Sequence, residues 1–153
     1  MGVGARVVCS LRRNAFELAM SSYVLRHVLG PKCHAANLAH GSGGEACWEA
    51  QKRVGVHVDE EAFLSILRPL REVIEFQRSV CERLARTTPV FFLWYEDLVA
   101  DFGRTTFDLQ AFLSLKPMVL RSQNVKVGGG SDSYSWVSNL LALRAAAGRT
   151  LVR

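Results

Sequence analysis

Val7-Val8-Cys9-Ser10-Leu11-Arg12-Arg13-Asn14 is the stretch on which the fold turns. Residues 5–11 are short, apolar and rich in β-branched side chains, the composition of a buried strand. Two arginines and an asparagine then break the run. Asn14 suits a helix N-cap, because its side-chain oxygen can take a backbone N–H of the first turn. Residues 15–29 follow with Phe16, Leu18, Ala19, Tyr23, Val24, His27 and Val28 available for an inner face, and Gly30-Pro31 stops the helix.

Downstream, the pattern repeats in reverse. Residues 59–87 carry Phe63, Ile66, Leu67, Leu70, Ile74, Val80, Cys81 and Leu84 at three- and four-residue steps. Asp59, Glu60 and Glu61 stand where the helix dipole favours acids. Pro69 is expected to kink this helix or divide it in two, and Thr87-Thr88-Pro89 ends it. Val90-Phe91-Phe92-Leu93-Trp94-Tyr95 is the second apolar run and the second buried-strand candidate. A short helix follows Glu96-Asp97-Leu98, another spans 104–113, and a last one spans 135–147 with Gly148 as its cap. Residues 31–57, with Gly41-Ser42-Gly43-Gly44 and three histidines, read as an irregular insertion loop. Two buried strands separated by helices predict an α/β chain with a parallel sheet in a partial three-layer α/β/α arrangement. Two strands are few for such a sheet, so the chain is expected to be one partial domain over 1–153, truncated at its N-terminus.

The chain has 153 residues, 49% of them apolar and 22% charged, which is globular composition. Nineteen lysines and arginines against 14 acids leave a net charge of +5. Such a balance suits an anionic partner: a nucleotide, a phosphate or sulfate group, nucleic acid or a membrane surface. The arginines are scattered along helical stretches rather than interleaved with aromatics, which argues against nucleic acid. No apolar run is long enough to span a bilayer, and no hydrophobic signal-peptide core is present. Met1-Gly2 opens like a myristoylation signal, but Arg6 stands where that signal needs Ser or Thr. Cys9 and Cys81 fall in apolar-periodic segments and read as buried thiols. Cys33 and Cys47 flank a stretch within the irregular segment and suit a pair in an oxidising compartment, though four scattered cysteines do not define a disulfide framework. With His34 and His40 they lack a standard zinc spacing. His27 reads as a core or boundary residue.

An arginine at the carboxyl end of a buried parallel strand sits where such sheets bind ligands. The helix that follows offers free N–H groups to an anion, and a guanidinium can grip phosphate with paired hydrogen bonds. Ser21 or Ser22 would add a hydroxyl. The same residues also suit a solvated helix entry, and the bare pattern leaves both open.

Arg13-Asn14-Ala15-Phe16-Glu17-Leu18-Ala19-Met20-Ser21 resembles the 3′-phosphate-binding segment of sulfotransferases that use 3′-phosphoadenosine 5′-phosphosulfate. There a strand ends in Arg-Asn and a serine follows eight residues after the arginine, the spacing of Arg13 and Ser21. Ser22-Tyr23 is similar to the family's continuation. Phe92-Leu93-Trp94-Tyr95-Glu96-Asp97-Leu98 resembles the family's Tyr-Glu-Asp-Leu segment, after which a helix and Phe112-Leu113 come in the expected order. The helical segment from Asp59 to Leu84 resembles the one before that motif. Ser138-Asn139 and Gly148-Arg149-Thr150 look like a C-terminal stretch of bacterial-type and carbohydrate members. The resemblance implies a P-loop-like sulfotransferase fold and a nucleotide sulfate donor. The acceptor it implies is a hydroxyl or amine on a carbohydrate or small molecule. It gives the 3′-phosphate to Arg13 and Ser21 and places Tyr95 near the adenine. Lys126, in Lys126-Val127-Gly128-Gly129-Gly130, matches a degenerate form of the family's late basic loop. As a structural alternative it is a flexible linker. Glu96 and Asp97 read as helix-start acids rather than an acid–base pair.

The departures are as informative. The family's Lys-, Ser-, Gly- and Thr-containing loop for the 5′-phosphosulfate has no counterpart in Met1-Gly2-Val3-Gly4. Its catalytic histidine or glutamate lies between that loop and the arginine, where this sequence has no room. The expectation is therefore donor binding through Arg13, Ser21, Tyr95 and Lys126, with the catalytic residues unassigned. The alternative is a catalytically inactive remnant that works as a binding or interaction module. The family has cytosolic and Golgi members, and both compartments stay open.

Overall fold

The computed structural model describes residues 4–29, 55–121 and 134–149. The chain divides into two units. One takes residues up to Ala15 together with Arg71–Ser122, and the other takes Phe16–Leu70 together with the chain from Gln123 onward.

The first unit is built on two strands, β1 (Val7–Leu11) and β2 (Val90–Trp94), which pair in parallel with Val7 beside Val90 and Leu11 beside Trp94. The mixed α/β class and the parallel pairing are as the sequence led us to expect. The burial is not. Cys9 and Leu11 are buried, but Val8 and Ser10, which alternate with them, are exposed, and every residue of β2 is half-buried. In β1 the burial alternates with the side-chain direction of a strand, whereas β2 is partly covered on both faces, with Phe91 against Phe112 of the later chain. One face packs Cys9, Leu11 and Cys81 with Val7, Val90, Phe92 and Trp94 around them. Cys9 and Cys81 are buried as expected, yet they are not thiols: they form a disulfide across a sequence separation of 72 residues.

After β2 come α3 (Tyr95–Ala100) and α4 (Phe102–Phe112), preceded in the chain by α1 (Ala15–Tyr23) and α2 (Glu60–Leu84). Asp101 caps α4, its carboxylate accepting from the Arg104 N–H at 2.9 Å. The far end of α4 closes with Ser114 at φ 55°, its N–H on the Ala111 carbonyl and that of Leu115 on the Gln110 carbonyl. This is the two-bond closure that usually places glycine at the left-handed position. Arg6 compensates, donating to the Phe112 carbonyl and, at 2.6 Å, to the Ser114 hydroxyl. Gln110, buried, holds the following segment by both amide atoms against the Met118 backbone, at 3.1 and 2.8 Å.

The second unit centres on Met20, Val24, Val58, Phe63, Leu67 and Leu143, all fully buried. Phe16 meets Phe63 edge-on with ring centroids 5.1 Å apart. The helix predicted over 15–29 is α1 followed by a wider π-helical stretch, Val24–Leu29. Helix α2 starts as its acids imply: Asp59 accepts from the Ala62 N–H, and the Asp59 N–H donates to the Tyr23 hydroxyl at 3.1 Å. Pro69 does not divide α2, which is assigned as one helix of 25 residues. Pro69 is exposed, so the carbonyl deprived of its donor lies on a solvent-facing turn where water can serve it. Asn139 clamps the extended stretch before α2, accepting from the Val58 N–H and donating to the Val58 carbonyl at 3.0 and 2.7 Å. The last helix, α5 (Leu140–Arg149), begins later than the expected 135 and runs through Gly148, which is helical rather than a cap. Residues before it instead form turns and a parallel bridge between Val137 and Val56. Most of the expected loop over 31–57, with Cys33, Cys47, His34 and His40, lies outside the described residues. No described helix is long and apolar enough to cross a membrane.

Candidate functional site

The parallel register decides what meets what beyond the strands. Leu11 lies beside Trp94, so the next residues, Arg12 and Arg13, leave the sheet beside Tyr95 and Glu96. The result is a junction at the carboxyl end of the sheet, the edge where parallel α/β sheets build ligand sites.

Each contact in it joins the 12–14 turn to the 94–97 turn. The Arg12 guanidinium lies over the Tyr95 ring, 3.7 Å from its centroid. The Arg13 guanidinium lies over the Trp94 ring at 4.5 Å. Its two terminal nitrogens each meet one oxygen of Asp97, the second at 2.9 Å. The Glu96 carboxylate reaches across to the 12–14 turn. It accepts from the Arg13 N–H at 3.0 and 3.1 Å and from the Asn14 N–H at 3.0 Å. Backbone N–H groups at a helix entry attract an anion, and here the chain supplies one from 82 to 83 residues away.

The electrostatics follow these contacts. The hydrogen bond to Asp97 raises the Arg13 guanidinium further above its ordinary value, and the same bond holds the Asp97 carboxyl below the usual range. Partial burial pushes the Glu96 carboxyl up. The N–H groups of Asn14, Glu96 and Arg13, helped by the charge of Arg12, outweigh that push and leave it lowered. Both carboxyls are therefore anions at neutral pH. They serve as hydrogen-bond acceptors, which suits the reading of Glu96 and Asp97 as structural acids. Both also bond across to the turn before α1. Trp94 precedes α3 without any side-chain cap.

The predicted site residues fall out as follows. Arg13 and Tyr95 both lie at this junction. Ser21 is half-buried on α1 and belongs to the second unit. Lys126 lies outside the described residues. Sequence reasoning missed the carboxylate of Glu96 on the 13–14 backbone and the aromatic faces beneath the two arginines. Only strand pairing brings them together, and no local motif announces that. Among the described residues, no group of His, Cys, Asp and Glu is placed to hold a metal ion.

Comparison with family models, curated proteins and solved structures returned no match for this chain.

Proposed function

We propose that this chain binds the 3′-phosphoadenosine part of a sulfate-donor nucleotide, as part of a sulfotransferase that passes the sulfuryl group to a hydroxyl or amine acceptor. The reading rests on one observation above the others. Two arginines, a tyrosine and a helix entry converge at the carboxyl end of a parallel strand pair. The Arg13…Ser21 and Tyr95-Glu96-Asp97-Leu98 resemblances support it by supplying the same residues in the same order. Arg13 and Ser21 would take the 3′-phosphate, Tyr95 the adenine, and Lys126 a further phosphate oxygen. Sulfuryl transfer, like phosphoryl transfer, depends chiefly on positioning and on charge stabilisation of the moving group. The Cys9–Cys81 disulfide favours an oxidising compartment, hence a carbohydrate-bearing or secreted acceptor. The test is calorimetric titration with 3′-phosphoadenosine 5′-phosphate and with adenosine 5′-phosphate, which lacks the 3′ group. The expected result is at least tenfold tighter binding of the first, a difference lost in Arg13→Gln. Equal affinity for both nucleotides would overturn the reading.

One observation favours a second reading, an inactive module on the same scaffold. The chain's own carboxylates already occupy the anion positions, Asp97 on the Arg13 guanidinium and Glu96 on the backbone N–H groups. Turnover of isotopically labelled sulfate donor with a panel of sugar and phenol acceptors separates the two. Nucleotide binding without any transfer supports the module, and transfer by this chain excludes it.

A further inference from the structure

Arg13 is the arginine that the sequence singles out, yet it is the one whose guanidinium is already engaged. Asp97 covers both of its terminal nitrogens, and Trp94 covers one face. Arg12 differs. Its planar face rests on Tyr95, but among the described residues no acceptor takes a hydrogen bond from its nitrogens. The nearby carboxylate, Glu96, feels the charge of Arg12, but its hydrogen bonds go to the Arg13 and Asn14 backbone. A guanidinium stacked on an aromatic ring has lost much of its rotational freedom while keeping its in-plane donors, so a bidentate oxyanion costs it little further ordering.

We infer that Arg12 is an additional phosphate-binding residue of this junction, oriented by Tyr95 and offering to a phosphate oxygen pair the in-plane N–H donors that no described residue takes. The inference rests on reading the junction as a nucleotide-phosphate site, and it adds a residue which that reading leaves out. Arg12 and Arg13 are balanced in charge by Glu96 and Asp97. The site therefore recruits its ligand through oriented donors rather than through a net positive field, and its salt dependence is shallow.

The experiment is calorimetric titration of the full chain with 3′-phosphoadenosine 5′-phosphate, inorganic phosphate and adenosine. Wild type is compared with Arg12→Gln, Arg12→Lys, Arg13→Gln and the exposed control Arg86→Gln, each checked for an unchanged thermal melt. Arg12→Gln is expected to weaken binding of the nucleotide about tenfold or more, and Arg12→Lys to recover only part of that, because an ammonium lacks the planar fork. Loss of inorganic phosphate binding in Arg12→Gln assigns the contact to phosphate itself. An equal loss with adenosine overturns the inference in favour of base stacking. If Arg12→Gln matches wild type while Arg13→Gln loses binding, Arg12 has no such role and the nucleotide reading stands. If neither wild type nor any variant binds the nucleotide, both fall.

Discussion

Glu96 holds the junction through three hydrogen bonds to two backbone N–H groups. It does for the 12–14 turn what a capping side chain does for a helix start, so Glu96→Ala should cost about 1 kcal/mol of unfolding free energy in a urea titration, within the range of cap deletions. Glu96→Gln keeps one acceptor and should cost less. Acid adds a second signature. Glu96 and Asp97 are both lowered in the folded chain. Their stabilisation is therefore present above the ordinary carboxylate values and disappears as pH falls through the lowered ones. Melting temperatures of wild type and a Glu96→Gln, Asp97→Asn double variant should differ at pH 7 and converge below about pH 4. A constant gap across that range would mean that the two charges contribute nothing. At Ser114 the left-handed backbone is carried by a residue with a Cβ. Ser114→Gly should relieve about 1 kcal/mol of strain, offset in part by loss of the Arg6 hydrogen bond to its hydroxyl. A urea midpoint that rises less than in an Arg6→Ala background would show that offset. None of these roles could be read locally. The sequence marks Glu96 and Asp97 as acids at a helix start, but which groups they serve depends on the pairing of two strands that lie 83 residues apart in the chain.

At the scale of elements, what short-range pattern controls was readable and what pairing controls was not. The two strands and the long helix follow from β-branched runs and three-to-four spacing, and they stand within a few residues of their expected bounds. The last helix was placed early because Trp136 and Val137 look like helical apolar positions. They are buried instead by a bridge to Val56, a partner in distant sequence. The wider stretch at Val24–Leu29 shares its apolar spacing with an ordinary helix and left no separate mark. Pro69 shows a conflict between rules. Its missing N–H predicts a kink or a break, and the amphipathic residues on both sides continue one helix without the break. A proline in a helix interior costs about 3 kcal/mol relative to alanine, and part of that returns through a stiffer unfolded chain. Pro69→Ala should therefore raise the unfolding free energy by about 1–2 kcal/mol. A loss of stability would show that the proline is favoured by its surroundings.

Over the whole molecule, two units form from interleaved pieces of chain, and the disulfide lies wholly within the first. Burial of Cys9 and Cys81 was readable from their apolar neighbours, whereas the bond was not, because four cysteines permit three pairings and sequence does not rank them. By chain-entropy reasoning a closed loop of this size is worth about 4 kcal/mol. Urea unfolding of the double Cys9→Ser, Cys81→Ser variant should lose an amount of that order, and a loss under about 1 kcal/mol would show that the cross-link adds little. The candidate site was half legible. Arg13 and Tyr95 are named by motif, but their neighbours Trp94, Asp97 and Arg12 gain meaning only from the register of β1 on β2. The cross-link also changes what a single break in the backbone can do. Any peptide bond between Cys9 and Cys81 lies inside a covalent ring. A protease that nicks the chain once there leaves both pieces tied, still migrating as one species on a non-reducing gel and parting only when thiol is added.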